Sequence, residues 1–245
     1  ARAFDITYED ASGNQQYVHQ TTYGMSERLL GAIVASHGDD KGLVMPPSVA
    51  PVQVVVIPII SKGDSSDVIS ESDRITSELK SAGIRVRLDS RDIRPGQKYY
   101  DWEIKGVPLR IEIGPRDLAN NSIMCVRRTG GKKSHSVNNL VDTIRSELDI
   151  IGEEMKQQSS DHFNSRIKTL PAFTIDGTDL VLDQAIEKGT VYEMAFDGND
   201  AEAEMIEKGT DLSFLGDSTT AYKKKVPCVI TGKPTTRRIF LAKPY

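Results

Sequence analysis

The strongest local chemical signal in the sequence is a glycine and an arginine that precede an apolar run. Gly24 and Arg28 are four residues apart, and residues 29–34 follow them with a largely apolar, helix-like pattern. A glycine allows a ligand to approach the backbone closely, and an arginine in the first turn of a helix offers a phosphate two parallel donors. The pattern predicts a phosphate-binding strand–turn–helix, although an ordinary strand–turn–helix with a surface arginine has the same spacing.

A second signal is a basic stretch in the middle of the chain. Residues 84–133 contain 12 Lys or Arg and 6 Asp or Glu, whereas the whole chain has a net charge of -4. The acidic total excludes a general nucleic-acid coat, and the basic stretch predicts an RNA or phosphate partner that docks at one place. A well-solvated surface would show the same local charge.

Composition limits the class of protein. The 245 residues are 38% hydrophobic and 27% charged, which predicts packed domains rather than disorder. The longest apolar run, residues 52–60, is about half of what a membrane helix needs. Residues 1–5 do not resemble a signal peptide, and two cysteines are too few for a disulfide framework. We therefore expect a cytoplasmic protein without a membrane partner.

The elements that must position these residues follow from proline, glycine and apolar spacing. Residues 45–51 contain three prolines and predict an extended linker, and a second joint is predicted at residues 157–161. Alternating strands and helices between the joints predict an α/β domain with a mixed sheet. The predicted strands are 52–60, 84–89, 109–113 and 123–128, the helices are 68–82, 97–105 and 137–155, and a turn (94–96) and a hairpin-like loop (129–133) complete the set.

The last ninety residues predict a smaller α+β domain. Strands are expected at 173–175 and 191–196, helices at 180–188 and 201–208, and a hairpin around residues 232–234.

Five blocks resemble class II prolyl-tRNA synthetases of the archaeal and eukaryotic-like type, in family order. Residues 3–6 (AFDI), 20–28 (QTTYGMSER) and 37–47 (HGDDKGLVMPP) resemble the region of motif 3. Residues 90–117 (SRDIRPGQKYYDWEIKGVPLRIEIGPRD) are similar to the anticodon-binding domain, and residues 242–245 (AKPY) to the tyrosine C-terminus of that subgroup. The blocks extend over essentially the whole chain.

The resemblance implies three segments. Residues 1–47 would be the end of the antiparallel catalytic sheet, residues 48–155 an α/β anticodon-binding domain, and residues 156–245 a small α+β C-terminal domain. At motif 3, Arg28 would hold the ATP γ-phosphate, with Ser26 and Gly24 beside the nucleotide. ATP and Mg²⁺ are thus implied for the intact enzyme.

The resemblance also places an anticodon site, and physical reasoning agrees with it. Tyr99 and Glu103 are four apart on a predicted helix and therefore share a face. An aromatic ring can stack on a base, and a carboxylate accepts from N1–H and N2–H of guanine, two of which are adjacent in proline anticodons. Arg116 could donate to guanine O6 or N7. By resemblance, Arg110 joins the site and Lys98 contacts a phosphate, although Arg110 and Glu112 on one strand face may simply pair.

The C-terminal segment departs from the family pattern. Many relatives hold a structural zinc there through four cysteines, but the matching positions are Asp197, Glu202, Cys228 and Ile230. A closed zinc site needs four good ligands, so we expect no zinc. By resemblance, Tyr245 would present its ring and carboxylate toward the catalytic domain.

Class II motifs 1 and 2, and most of the proline pocket, have no counterpart in this sequence. We therefore expect the C-terminal portion of an enzyme that activates L-proline with ATP and attaches it to tRNA(Pro). The intact enzyme would be a homodimer, and this portion alone would be inactive. The alternatives are a stand-alone RNA-binding module and a related synthetase for histidine, threonine or glycine.

Overall fold

The computed structural model describes residues 1–60, 66–177 and 179–243, and divides the chain into two compact units, Ala1–Met155 and Lys156–Tyr245. Within the described ranges, no helix is long and apolar enough to cross a membrane.

The first unit is built on a mixed five-stranded sheet, as the alternation of strands and helices predicts. The strand order is β4-β3-β5-β6-β7, with β4, β3 and β5 parallel and the β5–β6 and β6–β7 pairs antiparallel. Its strands are β3 (Val54–Pro58), β4 (Val86–Leu88), β5 (Leu109–Ile113), β6 (Ser122–Arg127) and β7 (Lys132–Ser136), and its helices are α2 (Ser66–Ser81), α3 (Pro95–Ile104), α4 (Pro115–Ala119) and α5 (Leu140–Ser165). A 3₁₀ turn, Val137–Asn139, precedes α5.

Both faces of this sheet are covered. Val54 and Val56 of β3 point into the larger core, which contains buried residues of α2 and α5. Val55 and Ile57 point the other way, into a smaller core with Tyr99 and Trp102 of α3. Successive side chains of a strand alternate between faces, so a fully buried strand reads as a continuous apolar run.

The N-terminal segment forms a hairpin and a helix. Strands β1 (Thr7–Glu9) and β2 (Gln15–Tyr17) pair antiparallel, and helix α1 (Arg28–His37) has no buried residue. The predicted helix is confirmed, but the strand-like residues around Gly24 have no regular structure. A strand needs a partner for its backbone groups, and the described residues supply none at this position.

Residues 39–45 bind the segment to the sheet domain. Asp39 accepts two hydrogen bonds from Arg128, at 2.7 and 2.5 Å, and Leu43 N donates to Ile104 O. The predicted extended linker at 45–51 is wrong. Pro46 O accepts from Ala50 N to form a turn, and Arg85 donates to the carbonyls of Pro47, Ser48 and Ala50.

The second unit contains a four-stranded sheet of order β12-β15-β11-β8, in which β8 and β11 are parallel. Its elements are β8 (Ile167–Thr169), β9 (Phe173–Asp176), β10 (Asp179–Leu182), β11 (Val191–Ala195), α6 (Asp200–Thr210), β12 (Ser213–Asp217), β13 (Val226–Pro227), β14 (Pro234–Thr235) and β15 (Arg238–Ala242). The predicted hairpin around residues 232–234 is confirmed as the β13–β14 pair.

Several predicted elements are wrong in instructive ways. The predicted helix at 180–188 is instead β10, which pairs with β9; Leu180 is buried while Val181 is 56% exposed, the alternation of a strand. The joint expected at 157–161 lies close to the division between the two units after Met155, but α5 continues through it without a break. The turn expected at 94–96 contains the start of α3. Pro95 suits a first helical turn, where its missing N–H is not needed.

Candidate nucleic-acid interface

A cavity of about 520 Å³ lies where β3 and β5 end. These parallel strands end at one edge of the sheet, the usual ligand side of α/β sheets. Gly114 N there donates to Asp117 Oδ2 at 2.9 Å, so α4 begins on a fixed backbone turn. The lining residues are Ile59, Tyr99, Glu112, Gly114, Pro115, Arg116, Asp117, Met124 and Lys132.

Four side chains form a continuous array along this cavity. The guanidinium carbon of Arg110 lies 3.9 Å from the centre of the Tyr99 ring, and Arg110 Nε donates to Glu112 Oε1 at 3.0 Å. Lys132 Nζ donates to the other oxygen of Glu112 at 2.8 Å. Burial, followed by the nearby Glu112 carboxylate, raises the pKa of Tyr99. The array therefore presents a neutral phenol and two fixed cations around one carboxylate.

Glu103 and Arg116 are the adaptable members of the site. Glu103 Oε1 lies 3.8 Å from Arg110 Nη1, and the Glu103 side chain is 34% exposed. Arg116 is exposed at the start of α4, and its side chain makes no hydrogen bond or ion pair with the described residues. A half-buried carboxylate and an exposed guanidinium can together meet the donors and acceptors of a base edge.

Lys98 is not placed where the sequence suggests. Its side chain is 2% exposed, and Nζ donates to Asp89 O at 3.0 Å. Burial lowers the pKa of this amine, while the Asp89 carboxylate acts in the opposite direction. A phosphate contact through Lys98 is inconsistent with this geometry. Lys98 is a structural residue that holds α3 to the loop after β4.

Asp89 is the residue that fixes α3, and with it Tyr99 and Glu103. Its carboxylate accepts from Arg91 Nε at 2.9 Å, Arg91 Nη2 at 2.7 Å and Trp102 Nε1 at 2.8 Å. The Arg91 hydrogen bonds, followed by the one from Trp102, hold the pKa of Asp89 at about 2 against the effect of burial. The buried side chain therefore remains ionised and orients the helix that carries the site.

Sequence reasoning missed Glu112 and Lys132 as site residues. The signal for Glu112 is its alternation with Arg110 on one strand face, which predicts that the two side chains pair. Lys132 was assigned to a loop because β7 (Lys132–Ser136) has no apolar residue. An edge strand with polar side chains lacks the hydrophobic alternation on which strand prediction depends.

The predicted ATP contacts lie close together along the chain, and none of them lines the 520 Å³ cavity. Gly24, Ser26 and Arg28 are all exposed, and space around Gly24 is open within 4 Å of an added Cβ. Arg28 is the first residue of α1 and has no ion pair with the described residues. This placement leaves its guanidinium free to meet a phosphate.

The four positions matched to zinc ligands carry two carboxylates, one thiol and one apolar side chain. Cys228 Sγ accepts from Asp197 N at 3.3 Å and from Thr231 N at 3.5 Å, and Glu202 Oε2 accepts from Asn199 N to cap α6. Ile230 packs against the apolar core of the second unit. No group of three His, Cys, Asp or Glu that could hold a metal occurs within residues 1–60, 66–177 and 179–243. Tyr245 lies outside the described residues.

The comparisons with known proteins agree with this geometry. A family described as "Anticodon binding domain" matches residues 53–147. The proline–tRNA ligase of Methanocorpusculum labreanum is 42% identical over 94% of this chain and 48% of its own length. That of Thermococcus kodakarensis is 42% identical over 95% of this chain and 48% of its own length.

A solved structure extends the likeness to the fold. Prolyl-tRNA synthetase of Giardia lamblia, solved in complex with prolyl-adenylate, matches 100% of this chain and 53% of its own chain with a TM-score of 0.79 and 28% identity. The fold and the matched domain therefore define a portion of a class II aminoacyl-tRNA synthetase. The chain is similar over nearly all of its length to proline–tRNA ligases, and it spans about half the length of the curated relatives it matches.

Proposed function

We propose that the whole protein is a proline–tRNA ligase, and that this chain supplies its reader of the anticodon. The array of Tyr99, Arg110, Glu112 and Lys132 beside a 520 Å³ cavity carries the proposal, because it lies within the matched anticodon-binding domain. The whole enzyme would activate L-proline with ATP and Mg²⁺ and transfer it to tRNA(Pro). All the relatives reported above are named for proline, which favours proline over histidine, threonine or glycine.

The anticodon guanines are read by two side chains of the site, one half-buried and one exposed. Glu103 accepts from N1–H and N2–H of one guanine, and Arg116 donates to O6 or N7 of a guanine. Tyr99 offers its ring for stacking, and Arg110 braces both Tyr99 and Glu103. Lys132, 55% exposed beside Glu112, takes the phosphate-binding role first expected of Lys98.

Each of the three segments of the chain has a different role in this proposal. Residues 1–47 belong with the catalytic part, where Arg28 binds the ATP γ-phosphate and Ser26 and Gly24 lie beside the nucleotide. The exposed guanidinium of Arg28 at a helix start suits a triphosphate, and positive charge there stabilises the transition state. Residues 48–155 read the anticodon, and residues 156–245 form the C-terminal domain.

The C-terminal domain holds no zinc in this proposal. Of the four positions matched to ligands, Cys228 alone offers a thiol, and its sulfur already accepts main-chain hydrogen bonds. One equivalent of zinc in purified protein would contradict this. Tyr245 acts as the tail that reaches the catalytic part, and the whole enzyme is a homodimer in the cytoplasm.

The decisive experiment measures binding of the 245-residue chain to tRNA(Pro) and to a transcript with both anticodon guanines replaced. Stacking and edge contacts are each worth about 1–3 kcal/mol, so replacing both guanines should weaken binding at least about tenfold. Glu103→Ala should reduce affinity for tRNA(Pro) more than affinity for an unrelated tRNA. Equal affinity of the chain for both transcripts would overturn the anticodon-reading role.

A further inference from the structure

The second unit carries a segregated cluster of positive charge outside the matched anticodon domain. Residues 218–243 contain seven Lys or Arg and no Asp or Glu, although the 90 residues of this unit contain 12 Lys or Arg and 13 Asp or Glu. The basic segment contains the β13–β14 hairpin and β15, an inner strand that lies between β12 and β11 in the four-stranded sheet.

The basic residues of this segment fall into two groups. Arg237, Arg238 and Lys243 pair with Asp217, Glu193 and Asp211. The other four are exposed, and their side chains make no hydrogen bond, ion pair or ring contact with the part of the chain that the structure describes: Lys223, Lys224, Lys225 and Lys233. The arginines are thus used within the fold, whereas the four lysines are free to meet an outside anion.

The backbone holds the four lysines on one short hairpin, residues 223–235, which we call the lysine hairpin. Tyr222 N donates to Thr236 O at 3.0 Å at one end of the ladder, and Cys228 N donates to Lys233 O at 2.8 Å at the other. Lys225 and Lys233 are therefore separated by about three ladder steps, or about 10 Å. That distance covers two or three phosphates of a nucleic-acid strand, which rises about 3.4 Å per step.

An apolar cavity of about 480 Å³ lies against the lysine hairpin. Tyr222, Val226, Pro227 and Val229 contribute to its lining, together with Phe173 from the β9 strand. The charged residue in the described lining is Glu193, which is ion-paired with Arg238, and the lysines follow and precede lining residues along the hairpin rather than line the cavity. Exposed lysines next to aromatic and apolar side chains are a combination by which proteins hold RNA strands. An acidic peptide would satisfy the charge but offers no repeating phosphates or stacking bases for this surface.

We propose that the lysine hairpin is a second RNA-binding surface, which contacts phosphates of the bound tRNA away from the anticodon. The identity of the RNA as tRNA rests on the proposed function, but the observations that support this surface all come from the second unit. Its contribution is electrostatic and independent of base sequence, because lysines bind phosphates as point charges. It therefore adds affinity and salt dependence without adding anticodon discrimination.

The test compares three proteins: the unchanged chain, Lys223→Gln/Lys224→Gln/Lys225→Gln, and the matched control Lys168→Gln/Lys188→Gln/Lys208→Gln. The control removes the same charge from exposed positions of the same unit, two of which are ion-paired with Glu187 and Glu204. Affinity for tRNA(Pro) and for the anticodon-replaced transcript is measured across a salt series. Thermal unfolding verifies that each variant is folded.

We expect the lysine-hairpin variant to bind both transcripts at least about tenfold more weakly at low salt. The slope of log affinity against log salt should become shallower by about two to three units, near one for each phosphate that the protein no longer neutralises. The control should keep the original slope, and the ratio of affinities for the two transcripts should be the same in all three proteins.

The two proposals fail in different ways. If the lysine-hairpin variant keeps the affinity and the salt slope of the unchanged chain, this inference is overturned, even if the hairpin binds some other anionic partner. The anticodon role would still stand if the unchanged chain discriminates between the two transcripts. If the unchanged chain binds the two transcripts with equal affinity, the anticodon role is overturned. A shallower salt slope in the lysine-hairpin variant, but not in the control, would still support this inference.

Discussion

Arg110 is the residue on which the geometry of the proposed anticodon site depends. Its guanidinium lies over the Tyr99 ring, donates to Glu112 and approaches Glu103, so three neighbours hold it from different sides. Its side chain is 14% exposed, which strengthens these interactions relative to the surface. A planar cation suits all three contacts simultaneously, and an ammonium does not.

Arg110→Lys is therefore expected to weaken tRNA(Pro) binding about tenfold, although the charge is kept. The stacked cation–π contact is worth about 0.5–2 kcal/mol, and the orientation of Glu103 depends on the same guanidinium. Arg87→Lys, at the exposed residue of edge strand β4, is the matched control, because the Arg87 side chain makes no hydrogen bond, ion pair or ring contact with the described residues. The measurement is the affinity of both variants for tRNA(Pro), obtained by titration. Equal affinities of the two variants would show that the planar shape of the Arg110 guanidinium is unimportant.

At the scale of elements, the site depends on how the end of α3 meets residues 42–45. Gly106 follows α3 with φ of +69°, and a Cβ there would lie 2.7–2.8 Å from Cβ, C and O of Leu43. Met45 N donates to Gly106 O, so the two segments are held at backbone contact. This close approach fixes the end of the helix that carries Tyr99 and Glu103.

Gly106→Ala should destabilise the chain more than Gly83→Ala does. Both glycines have positive φ, +69° and +82°, so both substitutions introduce backbone strain of about 1–2 kcal/mol. At Gly83 there is no heavy atom within 4 Å of the added Cβ, whereas at Gly106 the backbone of Leu43 must move. Denaturant unfolding of the two variants gives the difference directly. Equal losses of stability would mean that residues 42–45 adjust without cost.

The elements that sequence could predict are those whose own side chains specify them. Buried β3 is a run of β-branched residues, and α2 repeats its apolar residues at helical spacing, so both were predicted. The sequence predicts no strand at β7 because the residues of β7 are all polar, and it predicts a helix at β10 because the pairing of β10 with β9 is not visible in the residues of β10. Tyr99, Glu103, Arg110 and Arg116 could be selected from sequence; the burial of Lys98 depends on Asp89 and could not.

At the scale of the whole molecule, charged side chains connect segments that are distant in sequence. Arg128 joins β6 to Asp39, 89 residues away, and Asp89 joins the loop after β4 to α3. In both cases the carboxylate is ionised in the folded protein, because the arginine hydrogen bonds lower the pKa of Asp39 and of Asp89 to about 2, from an ordinary value of 3.8. The same groups therefore make stability depend on pH.

The folded chain is expected to lose stability as pH falls from about 4 to about 2. A carboxylate whose pKa is lower in the folded than in the unfolded state stabilises the fold above its unfolded pKa, and this contribution disappears as the folded form becomes protonated. For Asp89, whose side chain is 2% exposed, the shift corresponds to about 2 kcal/mol. For Asp39, 46% exposed, solvent screening reduces the effect to a fraction of that.

Asp89→Asn separates the contribution of this one carboxylate from those of all the others. The amide cannot ionise, so the variant should be less stable than the unchanged chain at pH 7, and the difference should shrink toward pH 2. Asp39→Asn should show the same trend with a smaller amplitude. Free energies of unfolding from urea titrations at pH 2, 3, 4 and 7 provide the measurement. A difference for Asp89→Asn that is constant over this range would mean that Asp89 holds α3 by its shape and hydrogen bonds rather than by its charge.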